Sequence, residues 1–191
     1  RDWFAGRGWR PHPHQLAVLA QAQAGRSVLA IAPTGGGKTL AGFLPSLTEL
    51  VDGAAKDGRE LHTLYISPLK ALAVDVARNL EMPVAEMALD LRIETRSGDT
   101  KASKRSRQRT APPHILMTTP EQLALLLSYP DAARFFRHLR WLVLDELHAL
   151  ANSKRGELLS LGMARLARLA PGHRRIGLSA TVAEPPRLQR F

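Results

Sequence analysis

The chain holds 191 residues, with 27 Lys and Arg against 17 Asp and Glu, a formal net charge of +10 and a pI of about 11.0. At 45% hydrophobic and 23% charged it has the balance of a soluble globular domain, which excludes a wholly disordered basic tail. The absence of cysteine excludes a disulfide scaffold and a thiolate metal centre. No apolar stretch has the length of a membrane span, so a membrane is not an expected partner. A positive surplus on a folded domain points to polyanions. Arg1 is neither a Met nor the start of a signal peptide, so the chain reads as an excerpt of a longer protein.

Short apolar runs predict strands at 27–32, 63–67, 91–95, 115–118, 141–145 and 175–179. They are apolar on both faces, as buried parallel strands are. Helical patterns fill 13–24, 38–51, 69–80, 121–127 and 156–169. The first opens on Pro13 and stops at Gly25. The last repeats Leu159, Met163, Leu166 and Ala170 at helical steps. This alternation predicts an α/β fold with a mostly parallel sheet and helices on both faces. Residues 52–60 read as a surface loop. Residues 96–109 carry six basic residues and one acid, a local net charge of +5. That stretch is either a solvated loop or exposed helix, or a segment that contacts phosphates.

The chemistry starts at Ala32-Pro33-Thr34-Gly35-Gly36-Gly37-Lys38-Thr39, placed between a strand and a helix. Glycines let backbone N–H groups turn inward around phosphate oxygens, and the helix start adds its positive dipole end. Lys38 reaches the outer phosphates and the Thr39 hydroxyl is a magnesium ligand. Ala32 stands where the simplest phosphate-loop pattern has Gly. A second acid is needed for the metal, and Asp145-Glu146-Leu147-His148 follows the apolar run 141–144. An acid at the carboxyl end of a parallel strand points into the crevice where such sheets bind ligands. Asp145 is expected to hold Mg²⁺ and Glu146 to orient or deprotonate the attacking water. The chain has no Asn-Lys-x-Asp guanine reader, which weighs against a GTPase.

These segments, with Ser179-Ala180-Thr181, resemble in order motifs I, II and III of superfamily 2 helicases. Ser67-Pro68-Leu69-Lys70 is similar to motif Ia, Thr118-Thr119-Pro120-Glu121 to motif Ib, and Arg96-Ser97-Gly98-Asp99-Thr100 to a Gly-containing turn. The wording is closest to the large helicase-related branch, in particular the ligase-associated DExH-box DNA helicases. The resemblance implies a RecA-like ATP-binding domain over 1–191, with ATP and Mg²⁺ as cofactors. It implies that Gln15 reads adenine and that Thr34 and Gly35–Thr39 hold the triphosphate. Lys38, Glu146 and His148 are then catalytic, with Ser179 and Thr181 coupling nucleotide state to strand grip. Pro68, Lys70, Arg96, Gly98, Asp99, Thr100, Thr119 and Pro120 line a track for single-stranded DNA. RNA or an RNA–DNA hybrid is the alternative strand, and a remodelling ATPase without processive unwinding the alternative activity. Further implied are a second RecA-like domain outside this chain, 3′-to-5′ movement, DNA repair beside a ligase or nuclease, and a cytoplasmic, nucleoid-associated bacterial setting. An arginine finger would come with the second domain, and its loss costs roughly 10³–10⁵ in rate. The isolated chain is therefore expected to hydrolyse ATP slowly or not at all.

Overall fold

The computed structural model describes residues 2–33, 35–53, 60–151 and 153–180. The apolar runs form β1 (Val28–Ile31), β2 (Thr63–Ile66), β3 (Ile93–Thr95), β4 (Ile115–Thr118), β5 (Trp141–Leu144) and β6 (Arg174–Ser179). All pair in parallel, in the order β1-β6-β5-β2-β4-β3. Every residue of β2, β4 and β5 is buried, as in central parallel strands covered on both faces. The outer strands β1 and β3 are only partly covered.

The helices are α1 (Asp2–Gly6), α2 (Pro13–Gln23), α3 (Lys38–Val51), α4 (Lys70–Glu86), α5 (Ala102–Thr110), α6 (Pro120–Ser128), α7 (Ala132–Phe136), α8 (Leu147–Ala151) and α9 (Lys154–Leu169). One apolar layer joins the sheet to α2, α3 and α4 through Phe43, Leu47, Val76, Leu80 and Tyr65. The other joins it to α6, α7, α8 and α9 through Leu123, Phe136, Leu150, Leu159 and Met163. Local chemistry sets the helix starts. Pro120 opens α6, where a missing N–H costs nothing. The Ser153 hydroxyl caps α9 by accepting from the Gly156 N–H at 3.2 Å.

The α/β expectation holds, with corrections to individual elements. The third strand is shorter than 91–95. The helix expected over 69–80 continues through Pro83 to Glu86. The basic stretch 96–109 is a turn followed by α5, and its charges are partly spent on holding that helix to the sheet edge. Arg107 donates to both oxygens of Glu94 at 2.9 and 2.7 Å. Arg109 donates to Asp131 at 2.7 Å and lies 3.9 Å above the Tyr129 ring. The aromatic N-terminus clasps the end of α4, with Trp3 Nε1 donating to Glu86 at 2.8 Å. Among the described residues, no helix is long and apolar enough to cross a membrane.

Candidate nucleotide site and strand track

A parallel sheet gathers the carboxyl ends of its strands on one edge, and the strand order sorts the motifs along it. The loop after β1, Ser179 at the end of β6 and Asp145-Glu146 after β5 form one contiguous half. The segments after β2, β4 and β3, carrying Pro68, Thr119-Pro120 and Gly98–Thr100, form the other. The seam runs between β5 and β2.

In the first half the chain turns through Gly35 (φ +81°) and Gly37 (φ +71°) into α3. A Cβ at Gly37 would sit 2.6 Å from Gln15 Nε2 and one at Gly36 would sit 3.1 Å from the Pro33 carbonyl. Only glycine lets the loop curl this tightly. Lys38 is buried at 7% exposure, and its ammonium has no hydrogen-bond partner among the described residues. A buried ammonium of that kind needs an anion to satisfy it. With the hydroxyl of Thr39 and the carboxylate of Asp145, the hard oxygen donors suit magnesium beside a phosphate. Thr34, expected in this cradle, lies outside the described residues.

Gln15 is buried against the loop. Its Oε1 accepts from the His12 N–H at 2.9 Å and its Nε2 donates to the Gly37 carbonyl at 3.1 Å. Both ends of the amide expected to read adenine are thus engaged within the chain, tying α2 to the phosphate loop. Asp145 is 3% exposed. Its Oδ1 accepts from the Glu146 N–H at 2.8 Å and its Oδ2 from the Tyr65 hydroxyl at 2.5 Å. Glu146 adopts φ +47°, a left-handed conformation unusual for a residue with a Cβ. His148 joins the two motifs, its Nδ1 2.9 Å from Ser179 Oγ and its Nε2 3.4 Å from Glu146 Oε2. Thr181, paired with Ser179 in the expected coupling, lies outside the described residues.

The second half mixes exposed and buried groups. Lys70, Gly98 and Asp99 are exposed, but Lys70 and Asp99 are ion-paired with each other. Thr100 Oγ1 accepts from the Ser97 N–H at 2.9 Å and closes the turn. Thr119, Pro120 and Pro68 are largely buried. Arg96 corrects the expectation. It is 1% exposed and donates to the Arg105 carbonyl at 3.1 Å, so it supports α5 from beneath and does not face a track.

Two residues outside the expected set tie these segments together. Tyr65 crosses the seam from β2 to Asp145. Arg155, at the start of α9, donates to Glu121 Oε1 at 2.5 Å, to Glu121 Oε2 at 2.9 Å and to the Pro68 carbonyl. Thr119 Oγ1 completes the cluster by donating to Glu121 Oε2 at 2.7 Å. The run Thr63-Leu64-Tyr65-Ile66 puts Thr63 and Tyr65 on one face of the strand, a weak signal that does not name Asp145 as the partner of the phenol.

A phosphate loop on the first strand, an acid pair on the third strand along and a His–Ser link beside them define a RecA-like P-loop nucleotide-binding domain. The DEAD/DEAH box helicase family matches residues 12–188. The chain belongs to that family. It is 44% identical over 190 residues to the ATP-dependent helicase Lhr-Core of Methanothermobacter thermautotrophicus, covering 93% of this chain and 22% of that protein. It is 43% identical over 199 residues to the Lhr helicase/uracil glycosylase of Escherichia coli, covering 95% of this chain and 13% of that one. Among solved structures, Mycobacterium smegmatis helicase Lhr bound to ssDNA and AMP-PNP superposes with a TM-score of 0.87 at 40% identity, over 100% of this chain and 25% of that one. The helicase MrfA bound to DNA and AMPPNP gives 0.84 at 29% identity, over 98% and 26%. The large helicase-related resemblance is thus met at the level of Lhr-like superfamily 2 helicases, and this chain spans between 13% and 26% of each of these proteins.

Proposed function

We propose that this chain is the ATP-binding motor domain of an ATP-dependent DNA helicase moving along single-stranded DNA. The observation that carries the proposal is the buried Lys38 ammonium, without a hydrogen-bond partner among the described residues, in a glycine cradle on the same sheet edge as Asp145 and Glu146. Lys38 and the loop N–H groups bind the outer phosphates of ATP. Thr39 and Asp145 hold Mg²⁺, which neutralises charge on those phosphates when bound. Glu146 orients the attacking water and takes its proton. His148 passes the state of Glu146 to Ser179. The exposed Lys70 and Gly98–Thr100 turn contact phosphate and sugar, which suits a motor indifferent to sequence.

The single-stranded DNA and AMP-PNP held by the Lhr relative, and the DNA held by MrfA, support DNA as the polymer. In this reading a second RecA-like domain of the full protein closes over the nucleotide and supplies the arginine finger. Movement 3′ to 5′ and a repair role beside a ligase or nuclease belong to the same proposal. In the intact protein, Lys38→Ala should abolish DNA-stimulated ATP hydrolysis, and Glu146→Gln should keep ATP bound and uncleaved. Wild-type turnover in Glu146→Gln would remove that residue from its role.

A further inference from the structure

The Tyr65 hydroxyl sits where the two halves of the sheet edge meet, and it is the side chain that crosses from the strand half to Asp145. We propose that Tyr65 is a positioning residue that sets the Asp145 carboxylate for magnesium, an inference that rests on the ATPase reading above. Tyr65 is completely buried. Its ring stacks on Phe43 of α3, with centroids 5.5 Å apart and planes 25° from parallel. Helix α3 is the one that begins with Lys38 and Thr39, so the same element steers the phosphate-binding groups and the tyrosine. Strands β2 and β5 pair with Ile66 opposite Leu144, which brings Tyr65 beneath the residue that follows Leu144.

The carboxylate is held from two directions. The Tyr65 O–H fixes Oδ2 from the neighbouring strand, and the Glu146 N–H fixes Oδ1 from within the chain. One donor alone would leave the group free to swing about its last torsion. Two donors on different oxygens fix its plane and leave lone pairs on both oxygens for a metal. An O–H···O⁻ bond of 2.5 Å is in the range of charge-assisted bonds. Asp145 is nearly solvent-free, so no water stands ready to replace the phenol. Outer-shell donors of this kind are worth about 10–100-fold in metal affinity. The phosphate loop and Lys38 make no hydrogen bond to Tyr65 among the described residues, so nucleotide affinity without metal is independent of the phenol.

The test is binding of a fluorescent N-methylanthraniloyl ATP to the intact protein across a Mg²⁺ titration, with EDTA for the metal-free limit. Tyr65→Phe keeps the ring and its stacking on Phe43. It should raise the Mg²⁺ midpoint about tenfold or more, while metal-free affinity stays at the wild-type value and the melting temperature falls by only a few degrees, the cost of one buried acceptor left unpaired. In an Asp145→Asn background the same substitution should add no further shift. An unmoved midpoint in folded Tyr65→Phe, or a full additional shift in Asp145→Asn, overturns the proposal. If Tyr65→Phe does not fold, 3-fluorotyrosine at position 65 keeps the hydroxyl and alters its acidity. It must then move the midpoint, and an unmoved one overturns the proposal equally. A wild-type protein whose nucleotide binding ignores Mg²⁺ altogether would instead sink the ATPase reading, so the two failures are distinguishable.

Discussion

Arg155→Ala removes a side chain that holds Pro68 and Glu121 in one grip, and its cost follows from the geometry. The bidentate pair with Glu121 is half exposed, 38% and 47% for the two side chains, so solvent screening limits it to about 1 kcal/mol. The bond to the Pro68 carbonyl adds about 1 kcal/mol. The variant should lose about 1–2 kcal/mol, which for a domain of this size lowers Tm by roughly 3–6 °C. The same loss releases the segments that lead into Lys70 and Thr119. If about 1.4 kcal/mol of ordering is withdrawn from the track, affinity for a single-stranded oligonucleotide falls about tenfold. Fluorescence anisotropy with labelled DNA measures this in the intact protein, and nucleotide binding measured in parallel should hold. Arg155→Lys should not rescue, because an ammonium cannot bind both carboxylate oxygens in a fork. The Arg155 hydrogen bond, seconded by the Thr119 hydroxyl, holds the Glu121 carboxyl at about 2 against an ordinary 4.5. The pair's stability is thus complete above pH 4.5 and lost as pH falls towards 2. Unchanged DNA affinity in a variant with the expected fall in Tm would refute the positioning argument and leave Arg155 a plain structural residue.

Gly37→Ala places a methyl 2.6 Å from Gln15 Nε2 at φ +71°. The left-handed conformation alone costs about 1–2 kcal/mol, so isothermal titration should show ATP affinity reduced tenfold or more, whereas Gly98→Ala, in open space at an ordinary φ, should leave the melting temperature unchanged. His62 is 3% exposed, and its burial, opposed by Glu49, pushes its pKa from 6.5 down to about 4. The unfolded chain therefore takes up a proton that the folded one refuses. Stability should be full above pH 6.5 and fall by up to about 3 kcal/mol as pH drops to 4. Denaturant unfolding of His62→Gln should show a flatter profile across that window.

The strands and the phosphate loop were legible because both depend on local pattern. A four-residue apolar run between two helical stretches has few alternatives, and Gly35 to Thr39 combine conformational need with chemistry at adjacent positions. Less was legible where the outcome depends on partners distant in the chain. By charge alone Arg96 counts as a surface cation, yet a long side chain at a sheet edge can be covered by the next helix, and α5 covers it. Sequence pattern places Lys70 and Asp99 both as contacts for the strand, and the fold pairs them with each other. Motif resemblance offers Gln15 an adenine role, and the fold shows its amide spanning from His12 to the phosphate loop. Arg155 and Tyr65 carry no local signal, since each acts through residues dozens of positions away.

The sorting of motifs along the sheet has a consequence for how such domains diversify. The segments proposed to grip the polymer are three adjacent loops, after β2, β4 and β3, and none of them is interleaved with a fuel-handling loop. A lineage can therefore retool its choice of cargo by rewriting one flank while the engine on the other flank stays intact. Tyr65, which crosses the seam, and Arg155, which ties two of the gripping loops to α9, are the joints such a swap must preserve. An engineer grafting a new grip onto this chassis would keep those two residues and redraw the rest.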